Sequence, residues 1–191
     1  MQGKRKTMIS LKVPYYSQND SDTEQYYRMC QSSSMAMTME FLKPGCIKGQ
    51  GQKDDIYLKK MNSYGDTTDA NAHLRAMRDF GFQPAFLKNL RVSDLEKQLK
   101  AGKPTPCGIL HKGPVSAPTG GGHWVVVVGM TDTHFIVNDP AGELDLVNGG
   151  YHISNNGDHL QYSRKNFVRR WECDGNNNNA YRPGFGWGYL F

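Results

Sequence analysis

Apolar and polar positions divide the chain into two halves of different character. Residues 32–42 (SSSMAMTMEFL) hold no glycine or proline, are dominated by Met, Ala, Leu and Glu, and stop sharply at Lys43-Pro44-Gly45. That pattern predicts a helix apolar on most faces and therefore central. Residues 46–66 are polar and irregular, with a short helix expected over 54–61. TTDANAHLRAMRDFG (67–81) opens on Thr and Asp and closes on Gly81, and its spacing puts Ala70, Leu74, Met77 and Phe80 near one helical face. A further helix is expected from Ser93-Asp94-Leu95-Glu96, which has capping-box spacing, to Ala101-Gly102. Before these helices, MISLKVPYY (8–16) reads as a short strand ended by Pro14, followed by a polar loop. After them come β-rich runs: PCGIL (106–110), HWVVVVGM (123–130), HFIVND (134–139) and GWGYLF near the C-terminus.

Helices first and strands afterwards predict an α+β fold, with N-terminal helices packed on a C-terminal antiparallel sheet, rather than a doubly wound parallel one. The 191 residues fit one domain spanning 1–191. A net charge of +5 suits anionic surfaces, but the basic residues are scattered apart from Lys4-Arg5-Lys6, Arg164-Lys165 and Arg169-Arg170. No helix-turn-helix, zinc finger or aromatic-basic RNA motif accompanies them, so no nucleic-acid partner is expected. The asparagine tract 176–179 reads as a loop. The N-terminus lacks the apolar core of a secretory signal and no stretch reaches transmembrane length, so a cytoplasmic protein with reduced thiols is expected. Nothing in the sequence sets the oligomeric state.

The four cysteines, Cys30, Cys46, Cys107 and Cys173, are widely spaced and lack the paired spacing of a zinc site, so no metal is expected. Cys30 differs from the others by standing at the mouth of the predicted central helix. There the positive end of the helix dipole and the unpaired backbone N–H groups favour a thiolate. The second chemical signal comes from a hairpin. If strand 123–129 turns near Thr131-Asp132 and returns through 134–138, facing residues have numbers summing to 262 or 263, and His123 lies opposite Asp139 or Pro140. An imidazole held by a carboxylate in one tautomer keeps its other nitrogen free to take a proton. Structurally, the same two residues read as the end of a buried strand and the start of a turn. A Cys on a helix with His and Asp on a hairpin has the order and placement of a papain-like site.

The stretches VPYYSQ (13–18), RMCQSSSMAM (28–37), GGHWVVVVG (121–129) and NDPAG (138–142) together resemble papain-like cysteine peptidases related to the double-glycine leader peptidases of bacteriocin exporters. The likeness is specifically to their stand-alone relatives of bacteria and phages, and covers about two thirds of the chain. It implies that Cys30 is the nucleophile, His123 the general base and then acid, and Asp139 the orienter of the imidazole. It also implies that Gln18 donates its amide to the oxyanion together with the Cys30 backbone N–H; Gln25, nearer in sequence, is the rival. No cofactor is implied. Relatives commonly have Cys-Gly where this chain has Cys30-Gln31, so Gln31 is expected to line or narrow the cleft. His111 is expected to border the cleft, and Trp124 to shield the His–Asp pair or pack in the core. Cys107 is expected to be a packed thiol. The C-terminal third, with RRWE (169–172) and GWGYLF, is closer to phage members.

The expected activity is thiol-dependent hydrolysis of an amide bond in a peptide or peptidoglycan-type substrate. One form would be a phage lytic enzyme that reaches wall cross-links after membrane permeabilisation. A γ-glutamylcysteine dipeptidyl transferase or glutathione hydrolase of the phytochelatin-synthase type shares fold and triad. A non-catalytic structural or virion module is the third possibility.

Overall fold

The computed structural model describes residues 8–152, 156–173, 175 and 181–191, and the Lys4-Arg5-Lys6 run and the asparagine tract lie outside them. In chain order the elements are β1 (Ile9–Ser10), α1 (Cys30–Leu42), α2 (Lys53–Met61), α3 (Ala70–Asp79), β2 (Ala85–Leu90), α4 (Val92–Lys100), β3 (Thr105–Ile109), β4 (His123–Met130), β5 (His134–Asn138), β6 (Glu143–Leu144), β7 (Tyr151–His152), β8 (Leu160–Ser163), α5 (Arg164–Trp171) and β9 (Gly186–Leu190). Two 3-10 turns, Gln18–Asp20 and Tyr26–Arg28, lead into α1.

The architecture is α+β. One sheet runs β2-β9-β3-β4-β5-β8 with every pair antiparallel, and β1 joins β4 at Gly129 and Met130, beyond the residues that pair with β3. Strand β4 is buried along its whole length because both faces are covered. Val126 and Val128 pack with Met37 of α1, Val13 and Ile136. The alternate residues Val125 and Val127 join the larger core that includes Leu95 and Leu99 of α4 and Phe167 of α5. This two-sided burial is why β4 reads as a continuous apolar run rather than an alternating one. At Gly129 a Cβ would lie 2.3 Å from the Ile9 carbonyl oxygen, so only glycine admits β1 this close.

Several expectations need correcting. The strand over 8–16 is only Ile9–Ser10, because the chain beyond Leu11 leaves the sheet for a turn before Pro14. Helix α3 buries Ala72, His73, Ala76 and Met77, a stripe rotated from the expected one, while Ala70, Leu74 and Phe80 are only partly buried. Helix α4 starts earlier than Ser93: its N-cap is Arg91, whose N–H donates to the Asp94 carboxylate at 2.8 Å. Strand β2 lies among the helices and α5 among the strands, so the segregation is incomplete.

The hairpin register also differs. Val126 faces Asn138 and Val127 faces Val137, then Gly129 faces Ile136 after a shift between Val127 and Gly129. Facing numbers therefore sum to 264 or 265, because the turn is longer and the strand carries an irregularity. Extended by one residue, this register sets Asp139 level with Val125, so its meeting with His123 is diagonal.

Candidate active site

Cys30 takes the first position of α1, and several hydrogen bonds fix this end of the helix. Ser32 Oγ pairs with Thr67 Oγ1 at 2.8 Å, Ser33 Oγ donates to Asp54 Oδ2 at 2.6 Å, and Gln31 Nε2 donates to the Tyr189 hydroxyl at 2.8 Å. Ser32 and Ser33 are thus buried ties to the segment before α3 and to α2. The N-cap, Met29, offers no side-chain acceptor, so first-turn N–H groups remain available beside the sulfur.

His123 opens β4 opposite Ile109 of β3, and Asp139 follows the last residue of β5, which places both at one end of the sheet. The Asp139 backbone is pinned on both sides. Its N–H donates to the Gly157 carbonyl at 2.8 Å and its carbonyl accepts from the Tyr15 hydroxyl at 2.9 Å. A Cβ at Gly157 would fall 1.9 Å from the Asp139 carbonyl oxygen, so the loop can approach only as glycine.

His123 Nε2 meets Asp139 Oδ1 at 2.7 Å, and both side chains are buried. Cys30 lies close enough to the same imidazole to act on it electrostatically, and both line one cleft. With Nε2 engaged by the acid, Nδ1 is the ring nitrogen left to take a proton. Burial disfavours the charged ring, but the Asp139 carboxylate and Cys30 outweigh it, and His123 is pushed up to about 10.

Cys30 and His123 face a cleft of about 390 Å³ with Gln18, Arg28, Gln31, Lys88, His111, Trp124 and Trp187 also on its walls. Gln18 is buried; its Nε2 donates to the Tyr26 carbonyl at 2.8 Å, which leaves a second amide proton, and it lines the cleft with Cys30. Gln25 instead borders a separate groove with Asp55 and Lys59. Gln31 touches the cleft but is spent on Tyr189. The His111 ring centre lies 5.7 Å from that of His123, and burial first, then the neighbouring His123 charge, lowers its pKa to about 4. Trp124 packs against Phe86, Trp187 and Tyr189, while Tyr151 is the ring that lies edge-on to His123, at 5.0 Å.

The other three thiols lie outside this cleft. Cys107 is buried in β3, and burial pushes its pKa up; burial and Glu40 push Cys46 up to about 11; Cys173 is buried near the end of α5. Among the described residues no cluster of three or more His, Cys, Asp or Glu side chains could hold a metal ion, and no helix is long and apolar enough to cross a membrane. Tyr15, Tyr151, Gly157, Tyr162 and Arg170, for which the sequence pattern suggests no role at the site, also hold it in place. Only the glycine pair before Tyr151 hinted at a turn there.

The family model described as the Peptidase_C39 like family matches residues 10–178. A comparison with curated proteins returns no match. Among solved structures, the chain is similar to one described as a C39-like peptidase from Bacillus anthracis, at 14% identity and a TM-score of 0.60, covering 97% of this chain and 98% of that one. It is also similar to a double glycine motif protease from an AMS/PCAT transporter in complex with the leader peptide, at 18% identity and a TM-score of 0.50, covering 84% and 86%.

Proposed function

Since the chain belongs to the Peptidase_C39-like family, we propose that it is a cysteine peptidase that hydrolyses an amide bond through Cys30, His123 and Asp139. The observation that carries this reading is one imidazole holding Asp139 at 2.7 Å on Nε2 while sharing the wall of an open cleft with Cys30, which acts on it electrostatically.

The reaction follows from that arrangement. Cys30 Sγ attacks the substrate carbonyl carbon after giving its proton to His123. The resulting oxyanion is held by the free amide proton of Gln18 and the Cys30 backbone N–H, both fixed before the substrate arrives. His123 then protonates the leaving amine, the C–N bond breaks, and a thioester remains on Cys30. A water molecule, deprotonated by His123, attacks the thioester and returns the thiol. Asp139 holds the ring in one orientation throughout.

A cell-wall peptide cross-link is the substrate we favour. Lys88 and Arg28 stand on the cleft wall with His123, Arg28 already paired with Asp66 at 2.7 Å, and among the described residues no carboxylate lines the cleft. Such a wall suits a peptide that carries acidic groups.

The test needs no knowledge of the natural substrate at first. Iodoacetamide at pH 6 is expected to alkylate Cys30 well ahead of Cys46 and Cys107, since burial pushes both of those up. Purified wall peptide is expected to be cleaved by the wild type and left intact by Cys30→Ala. Equal labelling of Cys30 and Cys46, read by mass spectrometry of tryptic peptides, would sink the proposal.

A further inference from the structure

Asp139 is fully buried, and among the described residues its one ion-pair partner is His123. Its two oxygens are used differently. Oδ1 accepts from His123 Nε2 at 2.7 Å and from the Ala141 N–H at 3.1 Å. Oδ2 accepts from two phenols, Tyr162 at 2.9 Å and Tyr151 at 3.3 Å. We propose that Tyr151 and Tyr162 are positioning residues of the reaction, a pair of phenol donors on the far oxygen of Asp139 that hold it aimed at His123. The proposal rests on the peptidase reading of the site.

The direction of these hydrogen bonds is fixed by their surroundings. The Tyr162 hydroxyl accepts the Leu144 N–H at 2.9 Å, so its own proton is left for Asp139. Burial, and secondarily the Asp139 charge, push both phenols above their ordinary range, so they remain donors at any working pH. A buried carboxylate needs such donors on the oxygen that His123 does not reach, because a buried acceptor left without a hydrogen bond is costly.

The phenols also restrict geometry. They reach Asp139 from different elements, Tyr162 from β8 beside β5, and Tyr151 from β7 in the separate β6–β7 ribbon. Two donors on Oδ2 leave Oδ1 for His123 and stop the carboxylate from turning about its last bond. Tyr151 additionally lays its ring edge-on against His123, restraining the imidazole itself. Tyr151 thus touches both the acid and the base.

Tyr162→Phe and Tyr151→Phe keep the rings and remove only the hydroxyls. Tyr162→Phe is expected to lower kcat roughly 10-fold with KM within about twofold, the scale of one lost hydrogen bond to a charged acceptor. Tyr151→Phe should give a smaller change in the same direction, its bond being longer, and the double variant should exceed either. A purely structural role would alter yield or melting temperature and leave kcat of the folded protein where it was.

The same contact is readable without substrate. The proton between His123 Nε2 and Asp139 gives a low-field NMR resonance whose chemical shift should move in Tyr162→Phe. An unchanged resonance overturns the role of the phenols even if peptide is cleaved. A moved resonance in a protein that cleaves no peptide would support the phenol pair while overturning the peptidase reading.

Discussion

At the residue scale, the clearest contrast is between two glutamines. Gln18 has one amide proton committed to the Tyr26 carbonyl and the other free, and it shares the cleft wall with Cys30. Gln25 borders a different groove. Removing one preorganised oxyanion donor costs about 10² to 10³ in kcat. Gln18→Ala is therefore expected to fall by that order in steady-state peptide hydrolysis, and Gln25→Ala to stay within about twofold; the reverse ranking would move the oxyanion site. Cys30, His123 and Asp139 were legible because each stands at the end of an element that the sequence marks plainly: a helix mouth, the start of an apolar run and the end of its return strand. Tyr151 and Tyr162 were not. They lie 12 and 23 residues beyond Asp139, and no local spacing shows that two later, short strands fold back onto its carboxylate.

At the element scale, α5 illustrates why a fold can be only partly readable. Its eight residues, RKNFVRRW, look like solvated charge, with Phe167 and Trp171 as the only large apolar pair at helical spacing. Yet Arg170 is wholly buried. Its guanidinium donates to the carbonyls of Leu146 at 2.8 Å, Leu110 at 3.0 Å, Lys112 at 3.3 Å and Gly113 at 2.8 Å. That fork binds the end of β3, which leads to His111, to the ribbon that carries Tyr151. Helical periodicity treats an arginine as outward-facing, so tertiary hydrogen bonding of this kind leaves no trace in the pattern. Strand β2 was missed for a related reason: it pairs only with β9 at the sheet edge and is mostly exposed, so its residues carry little apolar signal. Arg170→Lys keeps the charge but cannot span the four carbonyls. It is expected to lose about 3 kcal/mol of stability, the scale of one or two buried charge-assisted hydrogen bonds. Urea unfolding checks this, and a loss under about 0.5 kcal/mol, the usual size of a surface change, would contradict the anchoring role.

At the scale of the whole molecule, two buried titratable groups behind α1 set opposing pH dependences. His73 joins α3 to α2, with Nδ1 against the Tyr57 hydroxyl at 2.8 Å and Nε2 against the Thr67 carbonyl at 2.8 Å, and burial lowers it to about 4. The unfolded chain takes up that proton near 6.5. The contribution of His73 is therefore complete above 6.5 and is lost as pH falls through 4. Asp54, tied to Ser33 of α1, is pushed up to about 6 by burial, whereas the unfolded carboxyl titrates near 3.8. Its contribution is complete below 3.8 and is lost as pH rises through 6. Each shift spans more than two pH units and so corresponds to about 3 kcal/mol. Because the windows overlap with opposite sign, their effects offset one another between pH 4 and 6. Asp54→Asn removes one of them without removing the polar side chain. Its unfolding free energy in urea is expected to fall steeply from pH 6.5 to 4, by about 3 kcal/mol more than the wild type does. His73→Gln should show the opposite slope, losing stability as pH rises from 4 to 6. Parallel pH curves for the wild type and both variants would mean that neither group titrates differently on folding, and that the polar ties behind α1 act only as hydrogen bonds.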